Sequence, residues 1–179
     1  FPSYIDAGEV TTMADMFNGC VNLERVEMSH ITTSAKLNTM EGMFEGCVKL
    51  TDVVFQDVMN TQGLTTVADM FNGCTMLKSA NVSALNVSKV KTFANMFMNC
   101  RDIEVIDLST WQLKNNNGNN TTTAANQTNV TSNTFANCSS LTTIFVNTGN
   151  DYWNRDFFGF RGTTCYTNTF ANCTSLIGA

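Results

Sequence analysis

The 179-residue sequence predicts an α/β solenoid of about five to six coils, each pairing a short strand of a parallel sheet with a short helical turn. Three observations predict it. Cys20, Cys47, Cys74 and Cys100 are spaced by 27, 27 and 26 residues, and Cys138 and Cys173 follow after 38 and 35 more. Each of these cysteines has a Phe three residues before it (Phe17, Phe44, Phe71, Phe97, Phe135, Phe170) and Leu or Ile three after it (Leu23, Leu50, Leu77, Ile103, Leu141, Leu176). Within each unit the apolar period then shifts from that of a helix to that of a strand.

The elements follow in order. Residues 1–9 form a lead-in segment, and 10–179 form a single repeat domain. Repeats begin at Val10, Leu37, Leu64, Val90, Thr128 and Thr163, with insertions near 114–127 and 147–162. In the first repeat Met13, Met16, Phe17 and Cys20 are spaced by three, one and three, which places them on one face of a short helical turn. Leu23, Val26 and Met28 follow with the spacing of a turn entering a short strand, Val26 and Met28 pointing the same way. The strand phase recurs as Val53 and Phe55, Ala80 and Val82, Ile106 and Leu108, and Ile144 and Val146. A strand of three or four residues cannot stand alone. Stacked on its counterparts, about 4.8 Å away, it joins one parallel sheet over a continuous core. The sixth repeat stops soon after Leu176, which suggests truncation or an incomplete terminal coil.

Composition narrows the function. Hydrophobic residues are 43%, so the chain is not disordered, and 179 residues suffice for one sizeable core. Charged residues are only 14%, and Thr and Asn fill the gap with 26 and 23 copies. The net charge of −5, with no basic stripe, argues against nucleic acid as a partner. No apolar run approaches the length of a membrane span, and no signal peptide is visible. The first residue is Phe1 rather than Met, which fits a processed product or an excised piece of something longer.

The cysteines admit three readings. Zinc needs close Cys pairs or Cys and His converging on one point, whereas these cysteines form a line. A catalytic thiol needs a base, and His30 is the only histidine, on a repeat connection. The favoured reading is a ladder of mostly free, buried thiols at Cys20, Cys47, Cys74, Cys100, Cys138 and Cys173. Cys165 breaks the register; it could staple the last coils by a disulfide to Cys173, or to Cys138. Met16, Met43, Met70 and Met96 read as flexible core filler beside the Phe rings. No metal or cofactor site is predicted.

The pattern V-x-x-M-x-x-M-F-x-x-C-x-x-L-x-x-V-x-M, from Val10 to Leu176, resembles the bacterial-surface-protein type of leucine-rich repeat, nearest the subgroup found in mycoplasma lipoproteins. The last two repeats depart from it: Thr131 and Tyr166 stand in the place of Met13, and Thr134 and Thr169 in that of Met16. The resemblance implies a leucine-rich-repeat-like stack on an extracellular or surface-attached protein acting in adhesion or binding. It brings no catalytic residues to carry over.

Function on a repeat scaffold tends to sit in irregular segments. Asn115 to Thr123 lacks apolar residues and reads as an exposed loop, either a tolerated expansion or a contact. Residues 150–161 concentrate Tyr152, Trp153, Arg155, Asp156, Phe157, Phe158, Phe160 and Arg161, the residue types of interface hot spots and of sugar-stacking platforms. The alternative is a folded-back loop that covers the end of the stack. Asp151 and Asp156 share one loop and define no glycosidase cleft. N-x-S/T triplets start at Asn81, Asn86, Asn119, Asn120, Asn126, Asn129, Asn137 and Asn172; the exposed ones are glycan acceptors if the protein is secreted by a eukaryote. The leading expectation is a non-enzymatic, extracellular or cell-surface module recognising protein or glycan. The runner-up is a structural subunit that associates end to end into a surface fibre, sheath or appendage.

Overall fold

Asp, Asn or Gly stands five residues before each repeat cysteine, and Gly or Asn stands immediately before it. These residue types tolerate a left-handed backbone best. A computed structural model of the chain describes residues 5–55, 59–111, 131–146 and 168–176. All twelve of these positions have positive φ, between 54° and 77°, from Asp15 and Gly19 in the first unit to Asn168 and Asn172 in the last. A left-handed residue every fourth position turns the peptide planes in alternation. The amides of Met16, Asn18 and Cys20 close four-residue turns onto the carbonyls of Met13, Asp15 and Phe17. Those of Met13, Asp15, Phe17 and Gly19 leave the turn and donate to Thr39, Glu41, Met43 and Glu45 of the next repeat.

This geometry overturns the expected α/β solenoid with leucine-rich-repeat-like helical turns. No helix occurs among the described residues. A helix commits its amides to its own carbonyls four residues back. Here half of them are committed to the neighbouring rung instead. The three-and-four spacing of Met13, Met16, Phe17 and Cys20 is met by three overlapping tight turns.

The regular secondary structure is β throughout: β1 Ile5–Ala7, β2 Arg25–Glu27, β3 Ile31–Thr33, β4 Asp52–Val54, β5 Ser79–Asn81, β6 Val105–Leu108 and β7 Thr143–Val146. The strands are all parallel, but they form three separate open sheets, β1–β3, β2–β4–β5 and β6–β7, where one continuous sheet was expected. The lead-in segment supplies β1, which pairs with β3 in the register Ile5 to Ile31. In the central sheet Val26, Val53 and Ala80 lie in register, and all three are buried. Met28, Phe55, Val82 and Leu108, two residues onward, are buried as the alternation predicts. Val146 departs from it, being 36% exposed. Isolated bridges join Thr12, Thr39, Thr66 and Thr92 one rung to the next.

One apolar cluster runs from Ala7 to Leu141. Its axis is a column of phenylalanines. Phe17, Phe44, Phe71, Phe97, Phe135 and Phe170 stack with ring centroids 5.3 to 5.9 Å apart and planes within 11° of parallel. Met43, Met70 and Met96 are fully buried beside them. Met16 is not core filler: its side of the first rung has no neighbour among the described residues, and it is 53% exposed.

Candidate functional site

Beside the phenylalanine column stands a column of thiols. Cys47, Cys74, Cys100 and Cys138 are buried, Cys173 is half-buried and Cys20 is exposed. Each thiol after the first donates to the carbonyl of the Phe one rung back: Cys47 to Phe17, Cys74 to Phe44, Cys100 to Phe71, Cys138 to Phe97 and Cys173 to Phe135, at 2.9 to 3.1 Å. The same Phe carbonyls also accept the cysteine amides of their own turns. Burial pushes the Cys138 thiol up to about 12 and the Cys74 and Cys100 thiols well above their ordinary value. Neighbouring thiols on the column add to the rise. These groups stay protonated, so they are poor nucleophiles and poor ligands. His30 lies exposed between β2 and β3, and its carbonyl accepts the Ile5 amide at 2.6 Å. No group of three or more His, Cys, Asp or Glu converges among the described residues.

The polar residues of the turns form a second ladder. The Asn18 amide donates to Asp15 and Glu45, and the Asn72 amide to Asp69 and to the other oxygen of Glu45. Asn99 donates to Asn72, Asn137 to Asn99 and Asn172 to Asn137. The side-chain nitrogens of Asn137 and Asn172, two of the triplet asparagines, are thus engaged in stacking. Threonine hydroxyls do similar work at the edges. Thr51, Thr65, Thr75 and Thr142 each donate to a carbonyl of the preceding repeat.

Asn81 and Asn86 are exposed, and each side-chain oxygen accepts the hydroxyl of the Ser two residues on, at 2.6 and 2.7 Å. Asn86 is one of the residues 83–88 that, with Thr110 and Trp111, line a hollow of about 250 Å³. Trp111 is buried, leans on Phe93 and donates its indole N–H to the Val82 carbonyl at 2.9 Å. Sequence reasoning passed over Trp111. Its signal is an aromatic residue three positions beyond Leu108, just before the asparagine-rich insertion.

Several predicted positions lie outside the described residues. They are the aromatic segment with Tyr152, Trp153, Arg155, Asp156, Phe157, Phe158, Phe160 and Arg161, the asparagine-rich insertion, the triplets at Asn119, Asn120, Asn126 and Asn129, and Cys165. Cys173, the predicted partner of Cys165, carries a free thiol. Among the described residues no helix is long and apolar enough to cross a membrane.

Parallel rungs, repeated side-chain ladders and buried, protonated thiols define a repeat protein whose described polar chemistry serves its own stacking. The chain belongs to the family described as "Mycoplasma protein of unknown function, DUF285", whose model matches residues 3–57 and 39–151. Among solved structures it is similar to the crystal structure of the T. pallidum leucine rich repeat protein (TpLRR). The identity is 18% and the TM-score 0.40, over 81% of this chain and 67% of that one. A likeness at that level supports no argument about fold or function. No curated protein matches the chain.

Proposed function

We propose that the chain is a non-catalytic binding or adhesion module, working outside the cell or at its surface and contacting a protein or glycan. One observation carries the reading. The thiols, asparagines and threonines that recur with the repeat are committed to hydrogen bonds between rungs, so the repeats act as scaffold. Contact chemistry then falls to irregular segments, foremost the aromatic and arginine-rich stretch at 150–161. The resemblance of the repeat pattern to mycoplasma surface lipoproteins supports the same placement.

The test is a glycan-array and surface-adhesion assay with Trp153→Ala and Phe158→Ala. Each substitution should weaken binding by about tenfold or more, as for an interface anchor. Circular dichroism and thiol accessibility of the repeats should stay as in the parent protein. Binding unchanged in both variants would remove this segment as the contact site.

A further inference from the structure

The connection after β5 is one residue shorter than its counterparts. Ala80 and Val90 stand ten positions apart, whereas Val26 and Leu37, and Val53 and Leu64, stand eleven apart. The hollow of about 250 Å³ lies against this short connection, and Thr110 and Trp111 of the following rung complete its wall. Part of that wall is apolar. Leu85, Val87 and Trp111 are buried around it. The Trp111 indole N–H is already committed to the Val82 carbonyl, so this residue adds carbon surface alone.

The polar groups of the wall have fixed roles. Ser83 and Ser88 commit their hydroxyl protons to Oδ1 of Asn81 and Asn86, at 2.6 and 2.7 Å, and Thr110 commits its own to the Ser83 carbonyl at 2.7 Å. The three hydroxyl oxygens are left with lone pairs to offer. Nitrogen supplies the opposite polarity. The Asn86 Oδ1 accepts from both the amide and the hydroxyl of Ser88, while its Nδ2 donates to nothing among the described residues. The main-chain amides of Ala84 and Val87 also donate to nothing among the described residues, and Val87 is buried. Buried N–H groups are nearly always paired, so these donors call for an acceptor from outside the chain.

The chemistry of the wall selects among ligands. An anion finds no Arg, Lys or His there and meets three oxygen lone pairs instead. A cation finds no carboxylate. A sugar hydroxyl both donates and accepts, and a sugar ring carries its hydroxyls around a C–H face. At about 250 Å³ the hollow is smaller than the roughly 300–1,000 Å³ of sites for drug-sized ligands, which suits one ring rather than a chain. We propose that the hollow binds one neutral sugar ring of a glycan. The C–H face lies on the apolar wall of Leu85, Val87 and Trp111. The hydroxyls bridge the Asn86 amide nitrogen to the oxygens of Ser83, Ser88 and Thr110. This inference rests on the reading of the chain as a binding module and gives it a contact separate in sequence from 150–161.

Titration of the isotope-labelled 179-residue protein with glucose, galactose, mannose and N-acetylglucosamine, one at a time, tests it by NMR. At least one sugar should shift the Asn86 side-chain signals and the Ala84 and Val87 amides, with a Kd of about 1 mM, the range expected for about a dozen heavy atoms. Asn86→Asp keeps the oxygen that holds Ser88 and replaces the donating nitrogen. It should weaken that sugar about tenfold. Ser83→Ala removes one accepting oxygen and should weaken it about threefold or more. Two variants guard against one of them misfolding, and circular dichroism reports that directly. Silence with all four sugars overturns the proposal. So does a response to inorganic phosphate with none to the sugars, or sugar binding that both folded variants keep at parent strength. The adhesion assay with Trp153→Ala and Phe158→Ala is a separate readout. Adhesion lost there, with the sugars silent here, removes the hollow and leaves the binding module standing. Sugar bound here, with adhesion unchanged there, removes 150–161 and leaves the hollow.

Discussion

Asp15 and Gly19 show at the scale of one residue why the turn is not a helix. Left-handed backbone costs an ordinary L-residue about 1–2 kcal/mol, and Gly, Asn and Asp tolerate it best. The sequence carries that signal openly, as Asp, Asn or Gly at the fifth position before each cysteine and Gly or Asn directly before it. Apolar spacing reports only which side chains point inward, and a run of tight turns satisfies it as well as a helix does. The inward face of the repeat was therefore legible and its backbone was not. Gly63 is a different case, fixed by close approach. A Cβ there would collide with the Ala35 carbonyl oxygen and lie 2.6 Å from that of Leu37. Both are backbone atoms and cannot swing away as a flexible side chain does. Gly63→Ala should destabilise the fold by about 1–3 kcal/mol, the usual range for overpacking. Urea unfolding followed by circular dichroism checks it, and a variant as stable as the parent would mean that this connection has slack.

The rung is the element that organises the chain, and its energetics depend on having a neighbour on both sides. Phe71 is fully buried between Phe44 and Phe97, with ring centroids at 5.4 and 5.3 Å. Among the described residues Phe17 has one ring beside it, at 5.4 Å, and it is half-buried. Removing a core phenylalanine costs about 3–5 kcal/mol through lost burial and the cavity left behind. Phe71→Ala should fall in that range, and Phe17→Ala should cost about half as much or less. Equal losses in the two unfolding curves would contradict the lesser burial of Phe17. The same element explains the composition. With few charges, the chain ties its rungs together through amide and hydroxyl groups, such as Asn137 on Asn99 and Thr51 on the Glu24 carbonyl. The roles of these residues were hidden in the sequence because their partners lie 27 to 38 positions away.

At the scale of the whole molecule the thiol column couples the rungs through their shared burial. Desolvation is the main reason that the Cys74, Cys100 and Cys138 thiols resist ionisation. Charge on neighbouring thiols adds to it: Cys47 acts on Cys74, Cys74 and Cys138 on Cys100, and Cys173 on Cys138. In the unfolded chain these thiols ionise near their ordinary value of 9.0, whereas Cys138 in the fold waits until about 12. A folded-state pKa raised in this way contributes stability that is fully present below pH 9.0 and lost as the pH climbs toward 12. Through that window the unfolded state has released a proton that the folded state still holds. Each such thiol then lowers stability by about 1.4 kcal/mol per pH unit. The slope of the parent protein sums over every group whose protonation differs between the two states, so alone it does not isolate the column. Cys100→Ala does. It removes one buried thiol together with its coupling to two neighbours, and its stability should fall less steeply above pH 9 than that of the parent protein, by about 1.4 kcal/mol per unit. Urea midpoints measured from about pH 8 to pH 10.5 give both slopes, a range in which the folded thiols remain protonated. Parallel slopes would show that Cys100 ionises equally readily in both states, and that the column is wetter than its burial implies. A shallower slope in the variant would show that burial in the fold holds the Cys100 thiol in its protonated form through this range.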